Sequence, residues 1–135
     1  MELMRITDQN PTYCSMIVET KQEKIDFYNA VENCTAKLSD CVNQEIEFNN
    51  VYLQKTEVME KDDKGNFTGV INDAVKIVLI TPDGQGIAST SKGVLTSLYA
   101  LFNIFGTPDT WDEPMRVRVK QINTSKGRTL KLEVL

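Results

Sequence analysis

One stretch constrains the fold of this chain more than any other. Between Ser91 and Gly106, Val94, Leu95, Leu98, Leu101, Phe102 and Phe105 recur at helical spacing, which predicts a helix with one broad apolar stripe. Ser91 is placed to cap its first turn, and Gly106 with Pro108 beyond it ends the helix. Four turns of such a helix must be buried against something, and the flanking sequence reads as strand. Before it, Ala74 to Ile80 is a β-branched run broken by Lys76, ended by the turn Pro82-Asp83-Gly84 and followed by a short strand around Gly86 to Thr90. After it, Met115, Val117 and Val119 alternate with Arg116, Arg118 and Lys120. The turn Asn123 to Gly127 then leads into Leu130, Leu132 and Val134, alternating with Lys131 and Glu133.

Upstream, Gln44 to Phe48 alternates with period two, placing Ile46 and Phe48 on one face; the pattern resumes on Val51 and Leu53 with its parity broken. A bulge at Asn49-Asn50 would repair the parity and bend one long strand running to about Met59. Residues 60–73 are polar and glycine-bearing, and read as a long mobile loop with a hairpin tip at Lys64-Gly65-Asn66. Residues 1–19, punctuated by Pro11, read as an arm or edge segment. From Thr20 a helix is expected, with Thr20 and Glu23 spaced as a capping box, Ile25, Tyr28 and Val31 on one face and Phe27 widening it. It should end before Ser39 and Asp40.

This order predicts a mainly β protein: a five-stranded OB-fold-like Greek-key barrel with a helix between the third and fourth strands and an extra N-terminal helix. Residues 1–40 would form an arm and helix packed on the same domain, and residues 41–135 the barrel. A four-turn helix at that point argues against an SH3-like barrel. A generic α+β sheet is the competing arrangement.

Composition removes several classes of function. The chain is 41% hydrophobic and 25% charged, as in ordinary globular proteins. No apolar run approaches the ~20 residues that cross a bilayer, and the N-terminus has no signal pattern, so a cytoplasmic protein is expected. There is no histidine, which excludes Ser-His and Cys-His nucleophiles and His-ligated metals. Cys14, Cys34 and Cys41 are odd in number, lack zinc-type spacing, and are expected to be reduced, partly buried thiols. Glu60, Asp62 and Asp63 lack EF-hand spacing, and Gly84-x-Gly86 opens no helix and is a hairpin turn rather than a dinucleotide fingerprint. No metal, no cofactor and no enzymatic activity are expected.

Charge points elsewhere. Residues 1–73 carry 7 Lys/Arg against 14 Asp/Glu, whereas residues 74–135 carry 8 against 5. A polyanion responds to the local field, so the second half is where it would bind. On one strand face Arg116, Arg118 and Lys120 form a row about 13 Å long. Lys126 and Arg128 add two charges across the following turn, and Lys76 is a further candidate. Such a row can track a phosphate backbone. Stacking partners for bases would be Tyr52, expected to point outward between Val51 and Leu53, and Phe67, with nothing local to bury it. Trp111, in a loop between Pro108 and Pro114, reads more readily as a plug at the barrel end.

Five stretches together resemble a known family: Lys37 to Asn43, Val78 to Gly84, Ser89 to Val94, Phe105 to Pro108, and Val117 to Gln121. In order and spacing they are similar to the small single-stranded-DNA-binding proteins of tailed bacteriophages, over about residues 20–135. The resemblance implies an OB-like fold, sequence-tolerant coating and protection of single-stranded DNA in phage replication or recombination, and the cytoplasm of an infected cell. It implies neither cofactor nor catalysis. Replication proteins and further copies of the chain are the partners such a role would bring, with cooperative packing along the strand. Bacterial counterparts carry a glycine-rich linker and an acidic tail. Here Leu132 to Leu135 reads as the end of a core strand, so tail-mediated recruitment is not expected. The alternative is a protein-interaction module, a phage inhibitor or assembly factor, using the acidic N-terminal half.

Overall fold

The computed structural model describes residues 6–125 and 127–135. In chain order its elements are β1 (Thr12–Cys14), α1 (Lys21–Glu32), β2 (Ala36–Lys37), a 3-10 turn (Leu38–Cys41), β3 (Glu45–Phe48), β4 (Asn50–Lys61), β5 (Phe67–Ile80), β6 (Gly86–Ser89), α2 (Lys92–Phe105), a second 3-10 turn (Pro108–Thr110), β7 (Met115–Thr124) and β8 (Gly127–Val134). The strands form two sheets, in the orders β1-β4-β5-β6-β2 and β3-β7-β8. The protein is mainly β.

The sheets meet at Asn49. The parity break read in the sequence is a corner rather than a bulge within one ladder: β3 pairs with β7, the chain turns at Asn49, and β4 pairs with β5. This lets Phe48 and Val51 both point into the space between the sheets, where each is fully buried. Leu53, Ile77, Leu79, Val117, Val119, Leu130 and Leu132 join them.

α2 fills the gap at one side of that space. Val94, Leu98, Leu101 and Phe102 are buried as its stripe requires, and the Ser91 hydroxyl accepts from the Val94 N–H. Two of its serines also cover the outer edge of β8: Ser91 Oγ accepts from the Leu130 N–H (3.4 Å) and Ser97 Oγ from the Leu132 N–H (3.2 Å). Those edge donors go to a helix instead of another strand. Among the described residues the ladders therefore do not close into a barrel. Phe105, expected in the core, is half exposed at the helix end. Trp111 closes the core in its place, packed on Phe48 and Phe102, with its indole N–H donating to the Gly106 carbonyl (3.0 Å). The plug expected of Trp111 is what it forms.

α1 carries the expected capping box: Thr20 Oγ1 accepts from the Glu23 N–H, and the Glu23 carboxylate accepts from the Thr20 N–H. Its buried face differs from the expected one. Phe27, Ala30, Val31 and Cys34 pack on Val78, Ile80 and Tyr52, while Ile25 and Tyr28 are exposed. The helix ends at Glu32, before Ser39 and Asp40 as expected, because the chain enters β2 beside β6.

The largest departure is residues 60–73. They continue β4 and β5 as a two-stranded arm, Lys61 pairing with Phe67 and Met59 with Ile71. The tip is where the glycine placed it: the Asp62 carboxylate accepts from the Lys64 and Asn66 N–H groups, and Gly65 takes φ 82°. Every residue from Glu57 to Asp73 is exposed.

Tyr13 of β1 lies against Phe102 (6.0 Å between rings), and burial raises its hydroxyl to about 12. The folded state thus holds this proton more tightly than the unfolded chain does. Its contribution is complete below pH 10 and is lost as the pH rises toward 12. Unfolding measured across that window should show stability falling, and Tyr13→Phe should remove this part of the fall.

Candidate nucleic-acid interface

The three β7 cations do form a row, since Val117 and Val119 point into the core and Arg116, Arg118 and Lys120 point out. The neighbouring strands bring carboxylates against each of them. Arg116 contacts Glu45 (3.1 Å) and Glu47 (3.3 Å), Arg118 contacts Glu45 (3.0 Å) and Glu133 (3.5 Å), and Lys120 contacts Glu133 (3.0 Å). Register makes this unavoidable: Glu45 and Glu47 lie opposite Arg118 and Arg116 on β3, and Glu133 lies opposite Arg118 on β8. Three cations face three anions, so the net field of the ladder is small. Each exposed pair adds at most about 1 kcal/mol of stability.

Arg128 sits on the other face of this hairpin. It shares the parity of Leu130 and Leu132, whose side chains are buried, and is itself exposed. Lys126 lies outside the described residues.

The two candidate stacking aromatics are far apart in environment. Tyr52 does point away from Val51 and Leu53, but α1 covers that face. Its ring meets Phe27 edge-on at 5.3 Å, its hydroxyl donates to Gln54 (3.1 Å), and burial pushes its ionisation upward. Phe67 is 61% exposed at the far end of the arm, with the Lys61 ammonium 5.2 Å from its ring centroid. Residues 57–73 carry five carboxylates and two lysines, which sets Phe67 in a negative field.

Lys76 belongs to a different surface. The β5–β6 ladder ends at the pair Ile77–Ser89, and beyond it opens a groove of about 590 Å³. Lys76 forms one wall and Lys37, at the end of β2, another; Ser39, Thr56, Ser89 and Thr90 add hydroxyls, and Glu57 is its lone carboxylate among the described residues. Val58, Ala88 and Leu130 supply apolar floor. The Lys76 ammonium donates to the Val31 carbonyl near the end of α1 (3.3 Å), a group the helix itself leaves unpaired. Lys37 is exposed and makes no ion pair among the described residues. The N-cap of α2, Ser91, also lines the groove, so a helix N-terminus opens onto it. Two lysines, a helix N-terminus and a set of hydroxyls suit a phosphodiester backbone.

A family model described as Phage Single-stranded DNA-binding protein, of the phi29 type, matches residues 7–134. The chain belongs to that family. The match spans nearly the whole chain, and the family is a DNA-binding, non-enzymatic kind of protein. No curated protein and no solved structure matches it. Lys37, Ser39 and the Ser89–Ser91 corner were not singled out from residue chemistry. Their signal lay in the stretches Lys37–Asn43 and Ser89–Val94, two of the five that carry the family resemblance and both of which reach the groove.

Proposed function

We propose that this protein coats and protects single-stranded DNA, largely without regard to sequence, during phage DNA replication or recombination. In this reading the two sheets, cornered at Asn49 and backed by α2, are an opened relative of the OB barrel. The strand runs along the groove between Lys37 and Lys76, past the α2 N-terminus and toward Arg128. The observation that carries the reading is the family match over residues 7–134, combined with lysines that no carboxylate pairs among the described residues, at the mouth of a hydroxyl-lined groove. A backbone-directed groove has no base edges to read, which is why sequence tolerance follows.

Titration against single-stranded DNA, duplex DNA and RNA of equal length tests it. Single strands should bind tighter than duplex, with an affinity that falls steeply with salt. Lys37→Ala with Lys76→Ala should lower affinity about 25-fold at 0.1 M salt and flatten the salt slope by about 1.4, the worth of two single-strand phosphate contacts. Lys37→Ala alone, at an exposed position, should give about half of that change in logarithmic terms without touching α1. Unchanged affinity in both variants, or equal binding of duplex, would set the reading aside.

A further inference from the structure

The β4–β5 arm is left unexplained by a groove at its base. It extends about 13 Å from Glu57 to Lys61, and all of its residues are exposed. Yet it carries Val58 (36% exposed), Met59 (52%), Phe67 (61%), Val70 (47%) and Ile71 (59%). Met59 and Ile71 are cross-strand partners on one face, and Val58 points to the other. A bare two-stranded hairpin is marginal in water, and five large apolar side chains on it constitute an interaction surface. Nucleic acid does not fit there, because the arm bears five carboxylates against two lysines. A complementary surface must be basic and apolar.

The chain itself presents one. On α1, Lys21, Lys24, Ile25 and Tyr28 fall at i, i+3, i+4 and i+7 and form one stripe. Ile25 is 43% and Tyr28 61% exposed, and neither lysine makes an ion pair among the described residues. Two lysines in the opening turns run against the helix dipole and so do not serve the helix. The stripe and the arm match in both respects: apolar centre to apolar centre, cation to carboxylate.

We propose that the β4–β5 arm of one copy docks on the α1 stripe of the next. Two different surfaces are joined, so the contact is heterologous and repeats from copy to copy without needing to close. An open chain of copies is the geometry that continuous coverage of a strand calls for, and it leaves the groove of every copy free.

Sedimentation velocity on the full chain, with no nucleic acid present, tests this independently of whether the groove binds DNA. The unaltered chain should associate with rising concentration, more strongly at low salt. Lys21→Glu with Lys24→Glu should abolish association, and so should Glu60→Lys with Asp63→Lys, a pair that leaves the Asp62 turn intact. An equimolar mixture of the two variants should associate again, because each now offers the charge the other lacks. This restoration also shows that both variants fold. An unaltered chain that stays monomeric at every concentration, or a mixture no more associated than either variant alone, would overturn the proposal.

Discussion

Replacing Glu45, Glu47 and Glu133 together by glutamine should tighten the grip on single-stranded DNA by as much as about 100-fold at 0.1 M salt, and steepen the salt slope by about 2. The three carboxylates hold Arg116, Arg118 and Lys120 at 3.0 to 3.5 Å. Glutamine keeps their size and their hydrogen-bond acceptors but removes the charge, so the row becomes three cations free to attract phosphates. The fold should tolerate this, since each pair is exposed and adds little stability. Deleting the cations themselves is a poorer test. A triple alanine variant at Arg116, Arg118 and Lys120 leaves three unopposed carboxylates, and repulsion alone would weaken binding wherever the strand runs. An anisotropy titration of the glutamine variant at several salt concentrations reads the prediction directly. No change in affinity would mark the ladder as a purely structural clamp between β3, β7 and β8.

The ladder also shows where sequence reading stops. Within the stretch from Met115 to Arg128 there is no acid, so the row looks uncompensated along the chain. Its partners come from a strand some seventy residues earlier and from the far end of the next one, and only register brings them together. Features that depend on neighbours in sequence fared better. The α2 stripe, its Ser91 cap and Gly106 stop, the Thr20–Glu23 box and the glycine tip of the arm were all legible, because each is settled within a few residues. The arm as a whole was not, since its charges and glycines read as loop while pairing along β4 holds it as strand. The α1 face failed for a different reason. Ile25-Tyr28 and Phe27-Ala30-Val31 are both correctly spaced stripes on one helix, and only the sheet beneath decides which is buried. The groove needs five separate segments to meet, which no local pattern encodes.

That same meeting of segments makes one glycine indispensable. Gly84-x-Gly86 reads as a hairpin turn, and Gly84 is one: it takes φ 87°, with open space where a Cβ would stand. Gly86 is in β6, where the end of α1 crosses the strand. A Cβ there would lie 1.9 Å from the Ala30 carbonyl oxygen, 2.9 Å from its carbon and 3.0 Å from Val78 Cγ1. Two of those three atoms are backbone, so no rotamer change relieves the clash and the helix must lift from the sheet. Gly86→Ala should therefore cost about 3 kcal/mol, the upper end for overpacking. Gly84→Ala should cost only about 1 kcal/mol, the penalty of a left-handed backbone carrying a Cβ. In a urea titration the first should lower the midpoint strongly and the second weakly, with the slope unchanged in both. Lifting α1 also withdraws the Val31 carbonyl that holds Lys76 at the groove. Gly86→Ala should thus weaken DNA binding under conditions where the chain is still folded, and Gly84→Ala should not. Equal stability of the two variants would mean that the α1–β6 crossing is looser than 1.9 Å implies.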